Sequence, residues 1–460
     1  MPALCVPVGT VRCSSADASQ PSRSICLLNL GGTTGVSSRP IRDEGYFYLR
    51  TVVPAATDMV TESLMKRGVS MAVTKTYEEI NEKIRRGEAV VVTAEEIIDI
   101  VKEDGVAKAT AKVDVITTGT FGPMCSTGAF INFGHSDPPI KMTKVWLNDV
   151  PAYAGLAAVD AYIGATELSE TLGMAYSGAH VIEDLIAGKN VKLHSTAYGT
   201  DCYPRKEITT YINKEVVNEA YLFNPRNAYQ NYAVAVNSSA RIMHTYMSTL
   251  MPRLGNATYC SASQLSPLIN DPLYRTIGIG TRIFLGGAPG YVAWQGTQFN
   301  PMQARGENGV PVAPAGTLAL IGDLKQMDTE FIRAAVFHGY GASMFVGVGI
   351  PIPVLDEDVV EKASVEDKDI YASIFDYSVQ QRSRPNLGKV SYAELRSGKI
   401  EINGKEVRTA PISSYSKARK IAAVLKEWVQ AGKFFVQEPV EHFPMDSTFK
   451  PLEIVSEEEI

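Results

Sequence analysis

The chain has 460 residues, 45% of them hydrophobic and 8% aromatic, which is ample material for a packed core. Lys plus Arg number 44 and Asp plus Glu 50, a net charge of −6 with no long run of either sign, so the basic footprint of a nucleic-acid binder is excluded. The longest apolar stretch, SMFVGVGIPIPVL at 343–355, is too short to span a bilayer and carries two prolines, so no membrane segment is expected and a cytoplasmic location is.

Residues 1–70 are rich in Ser, Gly and Pro, lack periodicity and hold Cys5, Cys13 and Cys26, half of the six cysteines. They are expected to be disordered, or to be upstream sequence with the working start near Met71; a shortage of acidic residues also fits a transit peptide. The pattern sharpens from there. Thr76-Tyr77-Glu78-Glu79 is a capping box that opens a helix with Ile80 and Ile84 inward and Gly87 at its end. EAVVVT then reads as a buried strand, and Thr93-Ala94-Glu95-Glu96 opens a second helix in the same way. KVDVITTGT (112–120) and GASMFVGVGI (341–350) are strand-like. Ser391-Tyr392-Ala393-Glu394 caps a short helix, KIEINGKEVRT turns on Asn403-Gly404 as a hairpin, and a last helix carries Ile421, Val424, Leu425, Trp428 and Val429 on one stripe. The fold class this predicts is α/β: a mixed sheet with flanking helices in one large catalytic unit over 71–444, with a small C-terminal hairpin-plus-helix part and a tail at 445–460 whose acidic end, SEEEI, is expected to be frayed.

The body has three cysteines, Cys125, Cys202 and Cys260, an odd number at wide spacing that matches neither a secreted disulfide framework nor a metal or cluster motif. A free thiol titrates at about 8.5, and nearby cations lower that value and raise its reactivity. Cys202 has Arg205 and Lys206 close by, with Pro204 forcing a turn; Cys125 follows a strand end in TFGPMCSTGAF. Each is a reagent or a packed hydrophobe, whereas Cys260, in GNATYCSASQL, has no charged neighbour and is expected to be structural. His135 and His194 are candidate acid–base groups, and Arg205, Arg226 and Asn227 candidate substrate ligands. TIGIGTRIFLGGAPG matches neither the dinucleotide fingerprint nor the P-loop, so its glycines are expected to make tight turns.

TTGTFGPMCSTGAF, TAYGTDCYPRKEI, YLFNPRNAYQNYAVAVNSS, GIGTRIFLGGAPGYVAWQGTQ and VGVGIPIPVLDED together resemble the homocysteine biosynthesis family of methanogens and anaerobic bacteria, from about Thr76 to Pro444. The resemblance implies an L-aspartate semialdehyde sulfurtransferase in which Cys202 bears a persulfide and Cys125 resolves it or forms a mixed disulfide with the product. Sulfide and an aldehyde lose water to give a thioaldehyde, two electrons more oxidised than a thiol, so a reductant is obligatory. With no cluster motif, dinucleotide fingerprint or flavin signature, no tightly bound cofactor and no metal are expected, and the resemblance points to a ferredoxin-like iron–sulfur protein as the electron-donating partner. Two alternatives stay open: a sulfur-carrier or scaffold protein, and a metal-assisted lyase using Cys125, Cys202, Cys260 and a histidine.

A chain starting at Met71 is expected to unfold at the same temperature as the full chain and to keep its activity; a lowered midpoint in a thermal melt would show that residues 1–70 belong to the fold.

Overall fold

Thr76 Oγ1 accepts the Glu79 amide at 3.2 Å while Glu79 accepts the Thr76 amide at 2.8 Å, and this reciprocal box starts the helix Tyr77–Arg86. Gly87, in the left-handed conformation, ends it. The computed structural model describes residues 73–260 and 263–456, so the expectation for residues 1–70 lies outside the described residues. The Thr93–Glu96 exchange also forms, at 3.2 and 2.7 Å, with regular helix over Glu96–Asp104. Between these helices Val91–Thr93 runs parallel to Val115–Thr117, which pairs antiparallel with Pro351–Pro353.

Asp114, 1% exposed, ties this first layer together. Lys75 and Lys83 reach Oδ1 at 2.9 and 2.7 Å, and the Val90 amide donates to Oδ2 at 3.0 Å. Burial alone would raise the carboxyl, but the hydrogen bonds from Lys83, Val90 and Lys75 outweigh it and hold it below the usual carboxylate range.

From residue 120 to 350 the predicted alternation of helix and strand gives way to strands. Only Gly178–Ile186 and the single turn Pro267–Asn270 are α-helical there among the described residues. The reason is turn chemistry. Gly286 and Gly287, both at positive φ, close Arg282–Leu285 onto Ala288–Gln295, and Asn148 and Asp149 do the same for Lys144–Leu147 and Val150–Ala152. Such two-residue turns favour antiparallel neighbours. The largest sheet has nine strands, every pair antiparallel, and includes Thr120–Pro123, Gly128–Asn132, Glu219–Asn227 and Gly341–Gly349. A four-stranded sheet carries Lys144–Leu147, Val191–Thr196 and Glu207–Ile212. The six-stranded sheet is mixed: Val234–Val236 is parallel to Tyr371–Asp376 and antiparallel to Ala257–Tyr259, which is parallel to Lys405–Pro411. The chain is therefore α/β with several sheets, and its described residues are more often in strands than in helices.

The helix Tyr415–Gln430 buries Ala418, Ile421, Ala422, Leu425 and Val429 against both the three-stranded and the nine-stranded sheets. Glycines set its distance. A Cβ on Gly119 would stand 2.2 Å from the Ala418 carbonyl oxygen, and one on Gly349 2.9 Å from the Ile421 side chain. The glycines of TTGTFG and VGVG thus admit a helix. The hairpin Lys399–Ile402 and Lys405–Pro411 turns on Asn403 and Gly404, both at positive φ, but it packs into the core of the six-stranded sheet. Hairpin and last helix belong to different cores, so they do not make a separate C-terminal part.

Replacing Asp114 by Asn is expected to destabilise the chain by about 3 kcal/mol, because Lys75, 9% exposed, loses its counter-charge. The native carboxyl titrates below its unfolded value, so its contribution is full above about pH 4 and disappears as pH falls through the lower native value. Chemical denaturation of both proteins at neutral pH and in acid reads the gap, which should close in acid.

Candidate active site

A cavity of about 620 Å³ opens between the nine-stranded and six-stranded sheets. Cys125 enters it from a four-residue turn: the Thr127 amide donates to Met124 O at 3.2 Å, leaving Cys125 and Ser126 at the tip. Fully buried Asn224 fixes that turn by donating to Thr127 Oγ1 at 2.7 Å and accepting from Ser126 Oγ at 2.9 Å and the Arg226 amide at 2.8 Å. The Cys125 thiol donates to Ser343 Oγ at 3.2 Å, and the Tyr340 hydroxyl is its other hydrogen-bond neighbour. Burial, then the nearby Cys125, push the Tyr340 phenol up to about 12.

The opposite wall brings Cys260, just beyond the strand Ala257–Tyr259. Its sulfur would stand 3.3 Å from a Cβ on Gly122, so the bare glycine makes room for it. Burial and the neighbouring Cys125 push this thiol up to about 12 against a hydrogen bond from Ser413, and it stays protonated at neutral pH. Around the two thiols run five tyrosines. Tyr229 meets Tyr232 edge-on at 4.9 Å, Tyr232 meets Tyr246 at 6.4 Å, and Tyr246 meets both Tyr340 and Tyr377, at 6.1 and 5.9 Å. Tyr246 and Tyr377 share a hydroxyl hydrogen bond of 2.9 Å. Burial pushes up the phenols of Tyr229, Tyr232 and Tyr377, so these hydroxyls are neutral donors.

Three arginines, Arg226, Arg382 and Arg384, complete the lining. Arg226 Nε donates to Thr297 Oγ1 at 2.9 Å. The Arg384 guanidinium lies over the Tyr377 ring at 4.0 Å, and its buried Nε has no hydrogen-bond partner among the described residues. Phe449, beyond the last helix, also faces the cavity.

The other sequence-predicted residues lie elsewhere. Thr200 and Tyr203 exchange backbone hydrogen bonds of 2.9 and 3.1 Å and leave Asp201 and Cys202 at an exposed hairpin tip. His135 stacks on Tyr203 at 6.0 Å, and Arg205 donates to the Pro138 and Asp137 carbonyls at 2.9 and 2.6 Å. His194 stacks on Trp146 at 5.2 Å in the four-stranded sheet, with Thr209 Oγ1 3.1 Å from Nδ1. Asn227 is fully buried and its Oδ1 accepts the Ala228 amide, so it shapes the backbone behind the cavity without lining it. Of the predicted set the cavity thus gathers Cys125 and Arg226, whereas Cys202 stands at its exposed tip, with His135 stacked on the adjacent Tyr203 and half-buried Arg205 bonded to the Asp137 and Pro138 carbonyls. The described residues hold no group of three or more His, Cys, Asp or Glu side chains placed for a metal ion, and no helix among them is long and apolar enough to cross a membrane.

The family model described as homocysteine biosynthesis enzyme, sulfur-incorporation, matches residues 89–436. This chain belongs to that family. An L-aspartate semialdehyde sulfurtransferase of Methanosarcina acetivorans is 54% identical to it over 380 residues, 83% of this chain and 74% of the relative. A protein of the same name from Methanocaldococcus jannaschii is 53% identical over 382 residues, 80% of this chain and 73% of the relative. An uncharacterized protein of Methanothermobacter thermautotrophicus is 31% identical over 335 residues. No solved structure matches.

Sequence reasoning took Cys260 for a structural residue and passed over Tyr340, Ser343 and Arg384. Only Arg384 left a signal, a QRSRP run between two strands; the rest reach the cavity through strand pairing. Alkylation with iodoacetamide at neutral pH is expected to modify Cys202, the exposed thiol, first and Cys260 last, because the raised pKa of Cys260 leaves it little thiolate. Peptide mapping over time reads the order, and early labelling of Cys260 would contradict its protonated state.

Proposed function

We propose that this family member incorporates sulfide into L-aspartate semialdehyde to form L-homocysteine, with the cavity around Cys125 as the place of reaction. The observation that carries this reading is a thiol set on a fixed turn in a cavity that also holds three arginines, in a chain more than half identical to two proteins named for that activity. The aldehyde substrate is an amino acid. Its carboxylate suits the unpartnered edge of Arg384, and Arg226 is the second cation within the same walls. Neutral tyrosine hydroxyls suit the aldehyde oxygen, which must accept protons as it departs as water.

Cys202 keeps, in this proposal, the part of sulfur-loading thiol. An exposed hairpin tip is open to a donor that already carries sulfane sulfur, whose thiolate leaves as the Cys202 persulfide forms, and two further electrons from the external reductant release that sulfur as the sulfide that enters the aldehyde. His135 and Arg205 stand beside that tip as the polar groups of the loading step. Replacing the aldehyde oxygen by sulfur and reaching a thiol consumes two electrons, which a reduced ferredoxin-like iron–sulfur protein would supply through transient contact.

One observation favours a second reading. Cys202 lies outside the cavity, as suits a sulfur carrier that delivers persulfide to another enzyme.

The purified full chain with L-aspartate semialdehyde, sulfide and a low-potential reductant is expected to make homocysteine over many turnovers. Cys125→Ser should abolish turnover, and Arg384→Ala should raise KM for the semialdehyde at least about tenfold, the loss of one charge-assisted hydrogen bond. Sulfur loading without homocysteine would establish the carrier reading instead, and sustained turnover with NADPH alone would refute the external iron–sulfur donor.

A further inference from the structure

The cavity contains a second thiol that the chemistry so far leaves idle. Cys125 and Cys260 line the same walls, and Gly122, three residues before Cys125, leaves open the space into which the Cys260 sulfur projects. They are the two cysteines of the described residues that share a cavity; Cys202 stands apart at its hairpin tip. Each thiol has a hydroxyl partner, Ser343 for Cys125 and Ser413 for Cys260. The two are close enough that charge on one bears on the proton of the other.

We propose, resting on the sulfurtransferase reading above, that Cys125 and Cys260 work as a dithiol that gives both electrons to the bound thioaldehyde and is left as a disulfide. The step begins once sulfur has replaced the aldehyde oxygen. The Cys125 thiolate attacks the thioaldehyde sulfur, forming the new S–S bond and sending the C=S π pair to carbon. Cys260 gives its proton to that carbon. The product is then held on Cys125 as a mixed disulfide, R–CH2–S–S–Cys125. The Cys260 thiolate attacks the Cys125 sulfur, the S–S bond to the product breaks, and homocysteine leaves as its thiolate. One thioaldehyde, one thiolate and one thiol thus become one product thiolate and one protein disulfide: the carbon–sulfur unit takes up two electrons and a proton, and the two cysteines give them. An external low-potential iron–sulfur donor then returns two electrons to the disulfide, one at a time, with protons from water, so that it never has to reach the substrate.

The environments of the two sulfurs fit this division. Cys125 sits at the tip of a turn and meets the substrate first. Cys260, packed against Gly122 with Ser413 as its hydroxyl partner, holds its proton firmly, which makes it the acid; once deprotonated, a thiolate of high basicity is the stronger nucleophile. Bonding to Cys125 also removes the charge that opposes ionisation of Cys260.

The test uses the full chain, fully reduced and freed of reductant, given sulfide and L-aspartate semialdehyde. Wild type is expected to release about one homocysteine per chain and stop, with a Cys125–Cys260 disulfide in its peptide map. Cys260→Ser, whose hydroxyl can still give a proton, should, once checked for native circular dichroism, release none and carry homocysteine on Cys125, freed by added dithiothreitol, whereas Cys260→Ala, which lacks the acid as well as the second thiol, should release none. Diamide should form the same Cys125–Cys260 bond without substrate, also in Cys202→Ser. No such disulfide, a bond joining Cys125 to Cys202 instead, or a Cys260 variant with an undiminished release would overturn the dithiol. Wild type that turns over with external reductant yet gives no stoichiometric release without it refutes the dithiol alone; no homocysteine under either condition refutes the sulfurtransferase reading.

Discussion

The approach of the helix Tyr415–Gln430 to bare backbone at Gly119 and Gly349 is the contact on which the rest depends. At that distance one helix face, with Ala418, Ile421, Ala422 and Leu425, closes the core under two sheets at once. The strand Thr120–Pro123 continues directly from Gly119 into the Cys125 turn, and Gly341–Gly349 carries Ser343 to the thiol. The loop before the helix also matters. Ser414 donates its amide to Phe121 O at 2.9 Å, which brings Ser413 beside Gly122 and Cys260. A side chain at Gly119 would move the helix by overpacking, and with it the floor of the cavity.

The site has two electrostatic regimes. Inside, buried phenols and the Cys260 thiol keep their protons, so the walls offer donors without negative charge. At the lining, arginines supply positive charge. Outside, the Cys202 tip stands among Asp201, Arg205 and Lys206 in solvent, where charges are screened and exchange with small sulfur species is unhindered.

Much of this was legible in the chain where the signal is local. Capping boxes at Thr76, Thr93 and Ser391, the Asn403-Gly404 turn and the glycine pair at 286–287 all act within a few residues, and they form as read. Cys125 was legible because a strand running into a Gly-Pro turn commonly exposes its end to a site. Cys260 was not, because no neighbour in sequence marks it. Its place arises from a parallel pairing of Ala257–Tyr259 with Lys405–Pro411 and from the absence of a side chain at Gly122, both tertiary facts. The same holds for Tyr340 and Ser343, which a hairpin of residues 332–349 delivers from more than two hundred positions away. The strand-dominated body was missed because buried strands and buried helices leave similar apolar runs, and only turn chemistry separates them.

The cavity is also a seam. Its two walls belong to different sheets with different cores, so a molecule that bonds to Arg226 on one side and Arg384 on the other spans a joint of the fold. Binding energy at such a joint is folding energy, since an occupant that recognises both walls has nothing to hold once they part. If the proposed function holds, the thermal resistance of the protein follows its metabolic supply: filled, the two sheets act as one body, and empty, they are fastened by their own packing alone.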